Sequence, residues 1–107
     1  MIHLGNLDVE RDFGDVRSVA SAYAALSLDP PQTPVINVCT GKVWSIRDIL
    51  AAASRITGHR MEVEVDPKLM RRNEVAILAG DATLLRSILP GWQPHALEET
   101  LEWMLSA

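Results

Sequence analysis

The chain has 107 residues, 48% of them apolar and 22% charged, proportions of a single globular domain rather than a disordered chain. Its net charge of −4 comes without a basic stripe, which removes the electrostatic support for nucleic-acid binding. A single cysteine, Cys39, excludes an internal disulfide framework and suits a reducing cytosol, so a cytoplasmic location is expected. No apolar run approaches the ~20 residues of a membrane helix. The opening MIHLGN has neither the basic region nor the apolar core of a signal peptide.

Residues 2–4 read as a short strand ending at Gly5. Asp15 is placed to cap a helix from residue 16 to about 28. Val16, Val19, Ala20, Tyr23 and Leu26 lie at helical spacing on one face, which assigns Tyr23 to the core with a tethered hydroxyl. DPPQTP, residues 29–34, is a breaker-rich loop. VINVC, residues 35–39, reads as a buried strand, with Cys39 a structural thiol inside it. Ser45 and Asp48 have the spacing of a capping box. The helix that follows has Ile46, Ile49, Leu50, Ala53 and Ile56 as its apolar stripe, and Gly58 suits its left-handed end.

MEVEV, residues 61–65, alternates with the period of a half-buried strand. The order strand, helix, strand from 35 to 65 predicts a βαβ unit with parallel strands and a right-handed crossover. A charged loop follows, DPKLMRRNEV. Asp81 then caps a short helix carrying Leu84, Leu85 and Ile88, stopped by Pro90 and Gly91. A last helix begins near Ala96, with Leu97, Leu101, Met104 and Leu105 on one face. The fold class is α/β, with a short, partly parallel sheet and about four helices.

Several chemistries find no support. The six glycines have neither G-x-G nor G-x-x-G spacing, and there is no P-loop. His3, His59 and His95 are far apart and have no ligand-spaced partner, so no metal site is expected. There is no G-x-S-x-G elbow, and Tyr23 is followed four residues on by Ser27 rather than lysine. The chain lacks the parts of a self-sufficient catalyst, and no catalytic, cofactor-binding or metal-ligating residue is assigned to it.

Two charged loops remain. The first carries Asn6, Arg11 and Asp12; the second carries Lys68, Arg71, Arg72, Asn73 and Glu74. A guanidinium binds phosphate oxygens through paired, charge-assisted hydrogen bonds. A carboxylate only accepts, which suits two adjacent ribose hydroxyls, and an amide both donates and accepts. Together these groups would make a grip for a nucleotide diphosphate. Spacing alone also fits plainer roles: a local salt bridge or cap at Arg11 and Asp12, and a solvated loop at Arg71 and Arg72.

The wording of the loops narrows the choice. GNLDVERDFGDVR resembles the GNLD-x-x-RDF-x-DVRD-V segment of GDP-6-deoxy-4-keto-mannose reductases, which are extended short-chain dehydrogenases/reductases acting on GDP-sugars. VINVCTGKVWSIRDIL is similar to that family's Y-N-V-C-S-G and S-I-R-E-L-L segment. VDPKLMRRNEVAILAGD is similar to its D-P, R-P-[NT]-[ED]-V and GD segment, and LPGWQP to its GW-x-P. The likeness runs from Gly5 to the end.

The resemblance implies a C-terminal substrate-binding domain whose partner, an N-terminal Rossmann domain, is not in this sequence. That domain carries the NAD(P) site, the G-x-x-G-x-x-G loop and the Y-x-x-x-K pair, so no cofactor is expected on this chain and truncation is expected. By position, Arg11 would hold the diphosphate with Asn6 nearby, Arg71 would contact a phosphate, and Glu74 would hold the ribose hydroxyls. Arg72 stands where the family often has proline, and Ser18 where it usually has aspartate.

GDP-mannose 4,6-dehydratases share GNLD-x-x-RD and the R-P-T-E-V loop. They tend to read RDW and to carry a longer insert where this chain has only Gly58, His59 and Arg60. The reading is therefore the GDP-sugar-binding part of a reductase that converts GDP-4-keto-6-deoxy-mannose to GDP-rhamnose. The alternatives are a dehydratase or epimerase and a non-catalytic binding module. Self-association through an exposed interdomain face is expected.

Overall fold

In the computed structural model, residues 1–32 and 35–106 are described. The elements in chain order are β1 (Ile2–Leu4), β2 (Glu10–Arg11), α1 (Val16–Leu28), β3 (Trp44–Ser45) and α2 (Ile46–Thr57). They continue with β4 (Val63–Val65), a 3₁₀ turn (Pro67–Leu69), β5 (Ile77–Leu78), α3 (Thr83–Ile88) and α4 (Leu97–Leu105). The α/β class and four helices agree with the sequence-based expectation. Part of the loop expected at 29–34 lies outside the described residues.

The helices start where local chemistry starts them. Asp15 caps α1 by accepting the Arg17 N–H at 2.7 Å. At α2 the Ser45 hydroxyl accepts the Asp48 N–H and the Asp48 carboxylate accepts the Ser45 N–H, each at 3.0 Å. Gly58 ends α2 at φ 70°, a conformation that costs a residue without Cβ little. Asp81 accepts the Thr83 N–H at 2.9 Å, one residue ahead of the helix-flanking position.

The strands pair differently from the predicted βαβ unit. β1 pairs in parallel with β4, His3 opposite Glu64. A separate sheet has the order β3–β2–β5, antiparallel between β2 and β3 and parallel between β2 and β5. VINVC forms no strand, and Val35 is exposed. A strand needs a ladder partner, and none of the described strands is hydrogen-bonded to it: β4, its expected neighbour, is paired with β1.

Helix α1 also turns its expected face outward. Tyr23 is 61% exposed, and Val16 is exposed too, while Ser18 and Ala22 are buried. The reason is polar. The Trp92 indole N–H donates to the Ser18 carbonyl at 2.9 Å, and the Ser18 hydroxyl accepts the His95 N–H at 2.8 Å. These bonds dock the 18/22 side of α1 onto the segment before α4. On α4 itself, Met104 and Leu105 remain exposed.

The molecule is a slab of 47 × 35 × 16 Å. Its radius of gyration is 16.4 Å, against about 13 Å for a compact chain of this length. The buried apolar set among the described residues is small: Leu7, Val9, Ala22, Ala52, Ala82 and Leu85. Domains normally bury the apolar face of one layer against another. Here much of that face is open, at Leu28, Val35, Ile77, Leu78 and elsewhere.

Candidate functional site

The two charged loops lie side by side because the two strands before them are paired. Gly5 follows β1 and Asp66 follows β4, and the Asp66 N–H donates to the Leu4 carbonyl at 2.7 Å. A Cβ on Gly5 would sit 2.7 Å from the Leu69 carbonyl oxygen, so the backbones approach at a distance only glycine permits. Downstream, the Glu10 N–H donates to the Ala76 carbonyl at 2.8 Å, and Arg11 stands opposite Leu78. Between these two fastenings the second loop turns at Asn73, which has φ 54°, a left-handed position that asparagine tolerates.

The folding of the second loop brings Glu74 to Arg11. A guanidinium nitrogen of Arg11, Nη2, lies 3.9 Å from Glu74 Oε1, and the side chains are 27% and 19% exposed. Its Nη1 donates to the Glu10 carbonyl at 2.9 Å, which steadies the group. Asn6 lies on the first loop, where its Oδ1 accepts the Asp8 N–H at 2.9 Å. That bond uses the amide oxygen and leaves the amide hydrogens for another partner. Arg71 is exposed on the second loop. Among the described residues, no hydrogen bond or ion pair joins Arg71 to Asn6, Arg11 or Glu74. The structure thus unites Arg11 with Glu74 and sets their loops together, without gathering all four side chains at one point.

Asp12 anchors the turn at Thr40 and Gly41 rather than making a local salt bridge or cap. Its carboxylate accepts the Thr40 hydroxyl at 2.7 Å, the Gly41 N–H at 2.8 Å and the Thr40 N–H at 3.1 Å. Arg86 holds the same turn from the other side, donating to the Thr40 carbonyl at 2.6 Å. Cys39, just before this turn, is half-buried, and burial first and the Asp12 charge second push its thiol pKa up. A raised pKa keeps it a thiol, as a structural cysteine should be.

Two hollows lie among these segments, one of them against Arg11. One, of about 380 Å³, has Arg11, Asn37, Val38 and Gly80 on its walls. The other, of about 260 Å³, is lined by Phe13, Lys42, Trp44, Arg86, Trp92 and His95. The second escaped the sequence reading because its residues come from four separate segments. Phe13, Lys42, Trp44 and Trp92 stand in the quoted motifs, but nothing in their spacing brings them together.

Neither of the two longest helices opens on the glycine-rich turn that a dinucleotide cofactor takes. Such a ligand places its pyrophosphate on a glycine-rich helix N-terminus. Here α1 opens on the Asp15 carboxylate and α2 on the Ser45 and Asp48 box, so acids occupy those ends. Among the described residues no group of three or more His, Cys, Asp or Glu is arranged to hold a metal ion. No described helix is long and apolar enough to cross a membrane.

Comparison with known proteins gives the family and the fold. The model of a family described as GDP-mannose 4,6 dehydratase matches residues 1–104. GDP-6-deoxy-D-mannose reductase of Pseudomonas aeruginosa is 34% identical over 106 residues, 98% of this chain and 34% of that protein. The chain therefore spans about a third of the length of the curated relatives it matches. Among solved structures, a putative epimerase from Burkholderia cenocepacia is 43% identical, with a TM-score of 0.93 over 98% of this chain and 35% of that one. RMD from Pseudomonas aeruginosa, complexed with NADPH, is 33% identical, with a TM-score of 0.85 over 98% of this chain and 34% of that one.

Proposed function

The chain belongs to the GDP-mannose 4,6 dehydratase family of nucleotide-sugar reductases and dehydratases, and on that premise we propose that it is the GDP-sugar-binding part of an NAD(P)-dependent reductase. The reaction of the whole enzyme is the reduction of GDP-4-keto-6-deoxy-mannose to GDP-rhamnose. The observation that carries this reading is the Arg11–Glu74 pair, 3.9 Å apart. It sets a fixed cation for a diphosphate beside an acceptor for vicinal ribose hydroxyls. Asn6 and Arg71, on the same two loops, are assigned to the grip by position, Asn6 beside the nucleotide or sugar and Arg71 on a phosphate. The reductase is favoured over a dehydratase by the short link between α2 and β4, residues 58–62, and by Phe13 after Arg11 and Asp12.

In this reading the cofactor site and the proton donor belong to a Rossmann domain outside this chain, and the setting is cytoplasmic. The chain alone is not catalytic. Its part in the reaction is binding and orientation, which contribute to rate by fixing the reacting groups near each other. Calorimetric titration of the chain with GDP tests the reading. Weak binding is expected, and Arg11→Ala should reduce the affinity roughly 10- to 100-fold, the worth of one or two charge-assisted hydrogen bonds. An unchanged affinity removes Arg11 from the site.

A further inference from the structure

Residues 35–39, VINVC, have the composition of a strand but no ladder. Among the described residues, no backbone–backbone hydrogen bond involves this run. Its N–H and C=O groups are obligatory hydrogen-bonding groups, and a row of bare ones is a template for another strand. Val35 and Asn37 are exposed while Ile36 and Val38 are half-buried, the alternation of a strand with one face covered. The run is fastened at one end. Asp12 and Arg86 grip Thr40, and a Cβ on Gly80 would sit 2.6 Å from the Cys39 sulfur. Asn37 and Val38 border the hollow of about 380 Å³ together with Leu78, which is exposed.

We propose that residues 35–39 pair with the same residues of a second copy, antiparallel about a two-fold axis at Asn37. The proposal is independent of the nucleotide reading. A two-fold interface takes the same surface from both chains. This run can meet its own copy: it has no charge to repel it, and no proline or lysine to blunt the edge. Centring on Asn37 gives every residue of the run a partner, 37 with 37, 36 with 38 and 35 with 39. Ile36 then stands opposite Val38 on one face. On the other the two Asn37 amides, each donor and acceptor, face one another. The area agrees. The chain exposes 7782 Å², roughly 1,900 Å² more than a compact protein of its mass, and a standard interface takes about 800 Å² from each partner. Leu78, beside the run, extends the apolar contact beyond the strand.

Sedimentation velocity of the 107-residue chain at low ionic strength should show a dimer that grows with concentration. Asn37→Lys and Asn37→Asp should each weaken it about three- to tenfold, because each sets like charges directly opposite across the axis, and their equimolar mixture should regain it. A strictly monomeric unaltered chain overturns the proposal. So does association that ignores both substitutions, which would put another face at the interface. If either variant loses its folded circular-dichroism spectrum, thiol cross-linking reads the register instead. With Cys39→Ala as background, Asn37→Cys should give a disulfide-linked dimer under copper phenanthroline, and Val35→Cys should not. Across the axis the Cβ atoms at position 37 would be about 5 Å apart, and those at position 35 about 13 Å. Equal cross-linking at both positions overturns the pairing.

Discussion

Asp15 and Ser18 are the buried polar side chains among the described residues, and Asp15 joins both ends of the fold. Its carboxylate accepts from Arg17 Nη2 and from the Thr100 hydroxyl, each at 2.8 Å. Arg17 in turn lies over the Trp103 ring, 3.9 Å from its centre. One acid therefore caps α1 and ties it to α4. The Arg17 side-chain hydrogen bond, aided by the Thr100 hydroxyl and the Arg17 N–H, outweighs burial and holds the Asp15 pKa well below the usual carboxylate range. A depressed folded pKa gives stability that is complete above the unfolded value near about 4 and is lost as pH falls below it. Urea denaturation as a function of pH should show that loss. Asp15→Asn should be less stable at neutral pH and should flatten the acid slope; an unaltered slope would assign the acid sensitivity to other carboxylates.

At the scale of the elements, what could be read in advance was what is local. Asp15, the Ser45 and Asp48 box, and Gly58 each act within a few residues, so the starts of α1 and α2 and the end of α2 stand where the sequence places them. Ser45→Ala should cost about 1 kcal/mol in chemical denaturation, the usual worth of a side-chain cap. Strand pairing is non-local, and there the reading failed. VINVC has strand composition but no ladder partner in this chain, while β2, β3 and β5 are two residues each, too short for a period. Tyr23 shows a related limit: helical spacing defines a face, not the direction in which it turns. Here Trp92 and His95 chose the Ser18 side. The site divides the same way. Arg11 and Glu74 were legible as charge types suited to a nucleotide. Their meeting was not, because only the pairing of β2 with β5 brings the two loops together.

The whole molecule exposes 7782 Å², against about 5,900 Å² for a compact protein of this mass. The difference, roughly 1,900 Å², exceeds the about 600–1,500 Å² of an interdomain contact. A surface so open should seek cover, first from a partner domain and otherwise from a second copy. Sedimentation velocity should show association rising with concentration, and a strict monomer at high concentration would count against an uncovered docking face. The parallel pairing of β1 with β4 bears on how this slab comes together. It joins positions roughly 60 residues apart, so closing that loop costs about 3–4 kcal/mol of chain entropy before any contact rewards it. Helices α1 and α2 form from near neighbours and have no such toll, so β1 docks late. Both loops of the grip hang from that last ladder, Gly5 after one strand and Asp66 after the other. On the proposed reading, the surface that takes the nucleotide would form only as the chain finishes folding, and a ligand bridging the two loops would clasp the contact expected to close last and open first.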